Sequence, residues 1–441
     1  MSTTPTTPRD QPMRLLFISN LYPPQVLGGY EMTCARVAEA MAARGHAVRV
    51  LTTPTYLPPE AAGVEVHRTL GLRTYFPLPQ TGGEIAQLLH HESAVSRFEN
   101  TRILLEELRD FEPTHVVAFN LLGIGGLALI DLLRTVEAAW MWNLGDRIPN
   151  ALVDGLPERV LRIYGADAPD HFDRGEIVAV SRSLVDAIEA GGLELGEVEV
   201  IGRGVTVPPD SGAPRRYREG GITRFTFAAS LGEHKGVGLV LEAAALLAEE
   251  TRDFRVDLYG DGDVDGYRAL ASEAGLEGLV EFHGATAREV VLAAHSSADA
   301  FLFPTWAGEA FGVAPVEAAA AGCVPIVTAS SGVAEFLIDG VDCIKITRSA
   351  SSLHGAMRDV VTGAVDLEAL GRRGRAAARG PLSFERSVDL LERSLERRTR
   401  PGSLAERAAD VTLEADIMDK DHRAMDLLHR RFSGRDDDDD Q

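Results

Sequence analysis

Short β-branched runs alternate with amphipathic helical segments along this chain, twice over, and a stretch rich in Pro, Gly and Ser at 208–221 separates the two series. That alternation predicts an α/β fold with a parallel sheet covered by helices on both faces. Its restart after a breaker-rich linker predicts a second domain of the same kind. The first unit is the clearest. Arg14–Ser19 (RLLFIS) reads as a buried strand, and a loop follows through Tyr22, Pro23, Pro24 and Gly28-Gly29. A helix comes next, with Cys34, Val37, Ala38 and Met41 at the i, i+3, i+4, i+7 spacing of one face. Gly45 stands just past its end, and Ala47–Leu51 is the next strand. Further strands are expected at His115–Phe119, Ala139–Trp142 and Ile177–Val180. In the second series they are expected at Phe225–Ala229, Arg255–Tyr259, Val280–Phe282, Ala300–Phe303, Pro325–Thr328 and Cys343–Ile346. Such sheets bind ligands beyond the carboxyl ends of their strands, so two Rossmann-like domains facing across a cleft are expected. The expected division is a disordered leader at 1–12, an N-terminal acceptor domain at 13–207 and a C-terminal donor domain at 208–385. Closing helices at 386–432 (one over 382–400, another over 403–432) and a disordered acidic tail at 433–441 complete it.

Composition narrows the function. At 441 residues the chain exceeds one ordinary core, and 45% apolar with 25% charged residues is the balance of a soluble globular protein. A formal charge of −22 argues against nucleic acid as the main partner, because phosphate-backbone binding needs a basic face. A small phosphorylated ligand needs only a few local cations, and here lysines are scarce: Lys235, Lys345 and Lys420. Cys34, Cys323 and Cys343 are odd in number and widely spaced, which fits neither a disulfide framework nor a metal site. The first dozen residues lack the apolar segment of a secretory signal. The apolar stretch Val116–Ile130, interrupted by Asn120 and several glycines, is short for a bilayer. A cytoplasmic protein is expected.

The densest constellation is 301–328, FLFPTWAGEAFGVAPVEAAAAGCVPIVT, which reads as strand, loop, helix, glycine stop and strand. Glu309 falls in the loop and Glu317 eight residues on, a rise of ~12 Å if wholly helical. That separation suits a sugar at one end and a ribose at the other, since a carboxylate accepts paired hydroxyl donors. The N–H groups of Ala310, Phe311 and Gly312 would face a diphosphate between them, and Gly312 lets backbone approach closely. The plainer alternative is chance spacing in an acidic chain and ordinary capping electrostatics; the strand–loop–helix context favours the ligand. A second constellation, FTFAASLGEHKGVG at 225–238, opens a strand into a loop with Lys235, then Gly236 at a helix start. It reads as a phosphate cradle with an ammonium group, against the alternative of a surface lysine. A third, Gly28-Gly29-Tyr30-Glu31, is weak alone because such turns are common. Opposite Lys235 it would add N–H donors to the same diphosphate.

Together, NLYPPQVLGGYE, RGHAVRVLT, LGEHKG, YGDGD, EAFGVAPVE and GCVPIVTASSGVAEFL resemble glycosyltransferase family four over roughly 13–390, most specifically in the C-terminal half. The resemblance implies the GT-B fold and a retaining, metal-independent glycosyltransferase. It implies Glu309 near the donor sugar hydroxyls, Glu317 on the ribose, Lys235 on the diphosphate and Gly29 beside it. The departing phosphate would help deprotonate the acceptor on the same face, with preorganised cations doing much of the work. The candidate catalytic residues are Glu309, Lys235 and Asp146. Ser230, Ala310, Phe311 and Gly312 complete the donor set, and Gly28, Asn120 and Asp146 form the acceptor side. Two positions depart from the family. Ser230 stands where an arginine is usual, a loss of about 1.5–3 kcal/mol unless Arg203 or another arginine substitutes. Gly145-Asp146 stands where many relatives carry His-Asp, leaving Asp146 to orient the acceptor hydroxyl, against the alternative of a surface loop.

The expected partners are a nucleotide-sugar donor, as substrate with no separate cofactor, and a hydroxyl acceptor that is a small molecule, a glycan or lipid-linked. The N-terminal domain is expected to choose the acceptor through Gly71–Glu99 and Leu121–Gly126. Arg68, Arg73, Tyr75 and Phe76 are candidates for meeting a lipid headgroup, and so for a peripheral membrane contact, or an acidic acceptor, against the plainer alternative of a simple loop. Asp261, Asp263 and Asp265 resemble a DxD metal site, but two β/α series fit the metal-free architecture better. Gly28-Gly29 lacks the G-x-G-x-x-G of a dinucleotide dehydrogenase. A phosphorylase or epimerase on the same fold stays open, as does a catalytically silent GT-B protein that binds a nucleotide sugar or a partner enzyme.

Overall fold

The computed structural model describes residues 12–57, 63–73, 84–95, 98–207, 215–412 and 417–432. Nearly all of the expected leader, residues 74–83 (with Tyr75 and Phe76) and 96–97, the linker stretch 208–214 and the acidic tail lie outside them. Two compact units emerge. One comprises the chain up to Ala179, Val185–Glu199 and Leu390 onward; the other comprises Val180–Leu184 and Val200–Asp389.

The first unit is built on β1 (Arg14–Ile18), β2 (Ala47–Thr52), β3 (Glu65–Arg68), β4 (His115–Ala118), β5 (Trp140–Leu144), β6 (Ile177–Ala179) and β7 (Glu199–Val200). Their order across the sheet is β3-β2-β1-β4-β5-β6-β7, with parallel pairing from β3 through β6. Leu15, Leu16, Phe17 and Ile18 are all buried, as expected of a central strand covered on both faces. The helix Gly29–Ala43 buries Cys34, Val37, Ala38 and Met41, the face that their spacing predicts. It starts where the Glu31 carboxylate accepts the Gly28 N–H at 3.0 Å. It stops at Arg44, followed by Gly45 at φ +92°. The edge strands β3 and β7 are absent from the sequence reading. Glu65–Arg68 is only partly buried and has no apolar run, and the alternation Val64-Glu65-Val66 is too short to mark a strand by itself.

The second unit carries β8 (Thr223–Ala228), β9 (Phe254–Tyr259), β10 (Val280–Gly284), β11 (Ala300–Phe303), β12 (Val324–Thr328) and β13 (Ile344–Ile346). The order is β10-β9-β8-β11-β12-β13, all parallel. Phe225, Phe227, Phe254, Leu258, Leu302 and Ile326 form its core with Val240, Leu241 and Leu247 of the helix Val237–Glu250.

The C-terminal expectation needs one correction. A helix does occupy Phe384–Glu396, but 403–432 is not a single helix; it contains Leu404–Ala409 and Asp419–Phe432. The first ends at Asp410, before the β-branched pair Val411-Thr412, which favours extended backbone. Among the described residues no helix is long and apolar enough to cross a membrane.

Candidate functional site

In a doubly wound sheet, ligands bind at the carboxyl ends of the two strands where the order reverses direction. In the second unit those strands are β8 and β11, and the loops that follow them carry Lys235 and Glu309. After β8 the chain makes a tight turn at Glu233–Lys235 and enters the helix through Gly236 at φ +85°. A Cβ at Gly236 would lie 2.2 Å from the Pro304 carbonyl oxygen, so the turn sits directly against the loop after β11. The result joins residues distant in sequence: Lys235 Nζ lies 2.5 Å from Glu309 Oε2, with the two side chains 23% and 16% exposed. Buried Thr305 reaches the same carboxylate oxygen through its hydroxyl at 3.4 Å. Gly236→Ala should cost about 1–3 kcal/mol from the left-handed backbone alone, and more from the clash, lowering the denaturation midpoint.

The strip Glu309–Gly312 is braced from behind. Gly332 N–H donates to the Glu309 carbonyl at 3.0 Å, Val333 N–H to that of Phe311 at 2.9 Å, and the Ser181 hydroxyl to that of Ala310 at 2.5 Å. Phe311 is buried 5.4 Å from the Phe336 ring. Gly312 has φ +88°, and a Cβ there would meet the Phe303 ring at 2.5 Å. With the carbonyls so held, the N–H groups of Ala310, Phe311 and Gly312 donate to no acceptor among the described residues. A row of such N–H groups beside an ammonium suits an oxyanion.

Glu317 lies in the helix Ala314–Ala320. Its Oε1 takes Arg288 Nε at 3.1 Å and an even closer Arg288 Nη2; Glu317 is 14% exposed and Arg288 54%. The sequence reading missed Arg288, whose one signal is its place in the loop-to-helix transition beyond β10. Ser230 is exposed, and its backbone carbonyl accepts Gly232 N–H at 3.0 Å. Arg203 follows Gly202, where a Cβ would touch the rings of Phe336 and Phe311 at 2.9–3.0 Å, so the backbone just before Arg203 runs against those two rings.

The YGDGD segment supports this site sterically. A Cβ at Gly260 would lie 1.8 Å from the Ala229 carbonyl oxygen and one at Gly262 2.5 Å from that of Leu231. Asp263 caps the helix Val264–Glu273 by accepting Gly266 N–H at 2.9 Å, and Asp265 pairs with Arg268 at 2.9 Å. Among the described residues, the group whose ligand atoms come within 4.8 Å of one another is instead Asp257, Glu281 and His283, on β9 and β10.

In the first unit the order reverses between β1 and β4, and the loops after them carry Gly28-Gly29 and Asn120. Gly28 and Gly29 are exposed, and a Cβ at Gly28 would meet nothing within 4 Å. The Tyr30 hydroxyl donates to the Asn143 carbonyl, which ties this helix start to the carboxyl end of β5. Asn120 Oδ1 accepts Leu122 N–H at 3.1 Å, shaping its own loop. Asp146 is exposed beyond β5 and accepts Arg147 N–H at 2.7 Å. Gly28, Gly29, Asn120 and Asp146 therefore share one edge of this sheet, as Lys235, Glu309 and Gly312 share one edge of the other.

Comparison with known proteins agrees in both halves. Residues 28–204 match the family described as "Glycosyl transferase 4-like domain" and residues 219–377 match "Glycosyl transferases group 1". The chain is 28% identical over 384 residues to glycogen synthase of Mycobacterium tuberculosis, covering 83% of this chain and 89% of that protein. It is 29% identical over 310 residues to phosphatidyl-myo-inositol mannosyltransferase of Mycobacterium leprae, covering 68% and 75%. The structure of Anabaena Alr3699/HepE in complex with UDP and glucose superposes with a TM-score of 0.59 at 17% identity, covering 87% of this chain and 100% of that one.

Proposed function

This chain belongs to glycosyltransferase family four, with the two parallel-sheet units of the GT-B fold, and from that premise we propose a retaining, metal-independent transfer of a hexose or related sugar. The donor is a nucleoside-diphosphate sugar and the acceptor a hydroxyl on a small molecule, glycan or lipid-linked saccharide. The observation that carries this reading is the Lys235–Glu309 pair at the switch point of the second sheet. Lys235 would neutralise the diphosphate beside the N–H groups of Ala310, Phe311 and Gly312. That draws the ammonium partly away from Glu309, whose carboxylate then accepts the sugar hydroxyls. Glu317, oriented by Arg288, would take the ribose. Arg203 would supply the cation that Ser230 lacks. Gly29 would add backbone N–H beside the diphosphate, and Gly28, Asn120 and Asp146 would orient the acceptor. The bond from the anomeric carbon to the phosphate oxygen breaks, and the acceptor oxygen bonds to that carbon on the same face. The acceptor proton passes to the departing phosphate. Charge stabilisation by fixed donors supplies the acceleration.

Asp263 and Asp265 already serve as helix cap and ion-pair partner, which supports a site without a metal. Cys34, Cys323 and Cys343 are all buried as free thiols, in keeping with a cytoplasmic protein. Titration calorimetry with UDP, GDP, ADP and dTDP, each with and without EDTA, tests the donor assignment. We expect micromolar binding of one nucleotide, unchanged by EDTA. Binding lost in EDTA would sink the metal-free reading, and no binding at all would favour a silent GT-B protein. UDP is the first choice, because the similar Anabaena structure holds UDP and glucose.

A further inference from the structure

The first unit has a second concavity, at the end of its sheet away from Asn120 and Asp146. It lies at the amino ends of β5 and β6, closed by the segment that follows the helix Phe384–Glu396, and has a volume of about 490 Å3. That is within the range of small-ligand pockets. A strand the length of β5 puts it roughly 16 Å from the carboxyl edge.

Its charge is out of keeping with the chain. Five arginines, Arg134, Arg174, Arg397, Arg398 and Arg400, line it against Glu137 and Glu176, in a protein whose formal charge is −22. Internal pairing uses some of this charge. Arg134 makes a two-pronged bridge to Glu176 at 2.9 and 2.6 Å, and Arg397 meets Glu199 at 2.6 Å. Arg398 donates to the carbonyls of Gly175 at 3.1 Å and Ser394 at 2.8 Å, with Glu199 3.7 Å away. Its Nε is buried without a hydrogen-bond partner. Arg174 and Arg400 are exposed and make no ion pair among the described residues. The arrangement is a pair of uncommitted guanidinium groups around a fixed frame. Guanidinium forks match phosphate oxygens two at a time, and two exposed arginines lining one concavity suit a multiply charged anion.

We propose that this cavity is a binding site for a small compound bearing two or more phosphate charges, distinct from the donor site. The claim does not depend on the transfer reaction. The probes are tripolyphosphate and glucose 1,6-bisphosphate, titrated calorimetrically into the full chain carrying Lys235→Ala, so that the proposed diphosphate contact in the second unit does not contribute. At least one probe should bind well below about 1 mM, and Arg174→Ala/Arg400→Ala in the same background should weaken it about tenfold or more. The tighter probe tells an oligophosphate from a phosphorylated sugar. The single variants Arg174→Ala and Arg400→Ala, each removing one exposed side chain, guard against a misfolded double variant. Absence of binding by both probes, or affinity indifferent to both arginines, would overturn the proposal.

Discussion

Replacing Glu309 with alanine should reduce sugar transfer by about a hundredfold to a thousandfold, into the range of the background, while the protein stays folded. The size follows from what one preorganised polar group aimed at a reacting centre contributes. The fold should survive because the Lys235–Glu309 pair is partly exposed and held on loops, where such a pair is worth about 1 kcal/mol or less. Phe311, Gly312 and the hydrogen bonds to the Glu309 backbone hold the strip without that side chain. Lys235→Ala should act differently, weakening nucleoside-diphosphate binding by roughly tenfold to a hundredfold as one charged hydrogen bond is lost. Because the two side chains touch, the double variant should lose less than the sum of the singles. Steady-state rates, calorimetry and melting temperatures on the three variants separate these effects. Undiminished transfer by Glu309→Ala would remove the central assignment.

Stability should fall steeply as pH drops from about 6.5 towards 4. Four buried histidines, His91, His115, His171 and His295, are each held down to about 4, in every case chiefly by burial. Arg134 adds to the effect at His171, and Arg215 at His295. Above the ordinary histidine range both folded and unfolded chains are neutral at these positions, and the contribution to stability is complete. As pH falls through that range the unfolded chain takes up protons that the folded chain refuses, so stability is lost until the folded value is reached. Each histidine contributes a slope of about 1.4 kcal/mol per pH unit, which for four is comparable with the whole stability of an ordinary domain. Asp299 and Asp342, whose carboxyls are raised by burial, oppose this trend only at the acidic end. Denaturant unfolding at stepped pH should show proton uptake approaching four per molecule at pH 5, and His295→Gln should remove one of them. A flat profile between pH 6.5 and 4.5 would contradict the burial argument.

The sequence by itself determined whatever depends on a residue and its near neighbours. Leu15–Ile18 and Ala300–Phe303 read as strands because a strand covered on both faces is a near-continuous apolar run. The helix Gly29–Ala43 read correctly because its apolar spacing has the helical period and Gly45 ends it. Lys235, Glu309 and Gly312 stood out for the same reason, each lying in a loop between a buried strand and a helix. Tertiary structure alone decided what depends on strand order. Lys235 and Glu309 are separated by 74 residues and meet because β8 and β11 are neighbours. Arg288 reaches Glu317 and the Ser181 hydroxyl reaches the Ala310 carbonyl by the same kind of long-range placement. Asp263 belongs to a DxD-like run in the sequence, and only the folded backbone brings its carboxylate to the Gly266 N–H as a helix cap. The edge strands β3 and β7 left only a short apolar–polar alternation, Val64-Glu65-Val66 and Val198-Glu199-Val200, and the arginine-lined cavity left no periodic trace, since it gathers residues from 134 to 400. Local sterics and periodicity are written in consecutive residues, whereas the pairing of distant strands is a property of the whole folded chain.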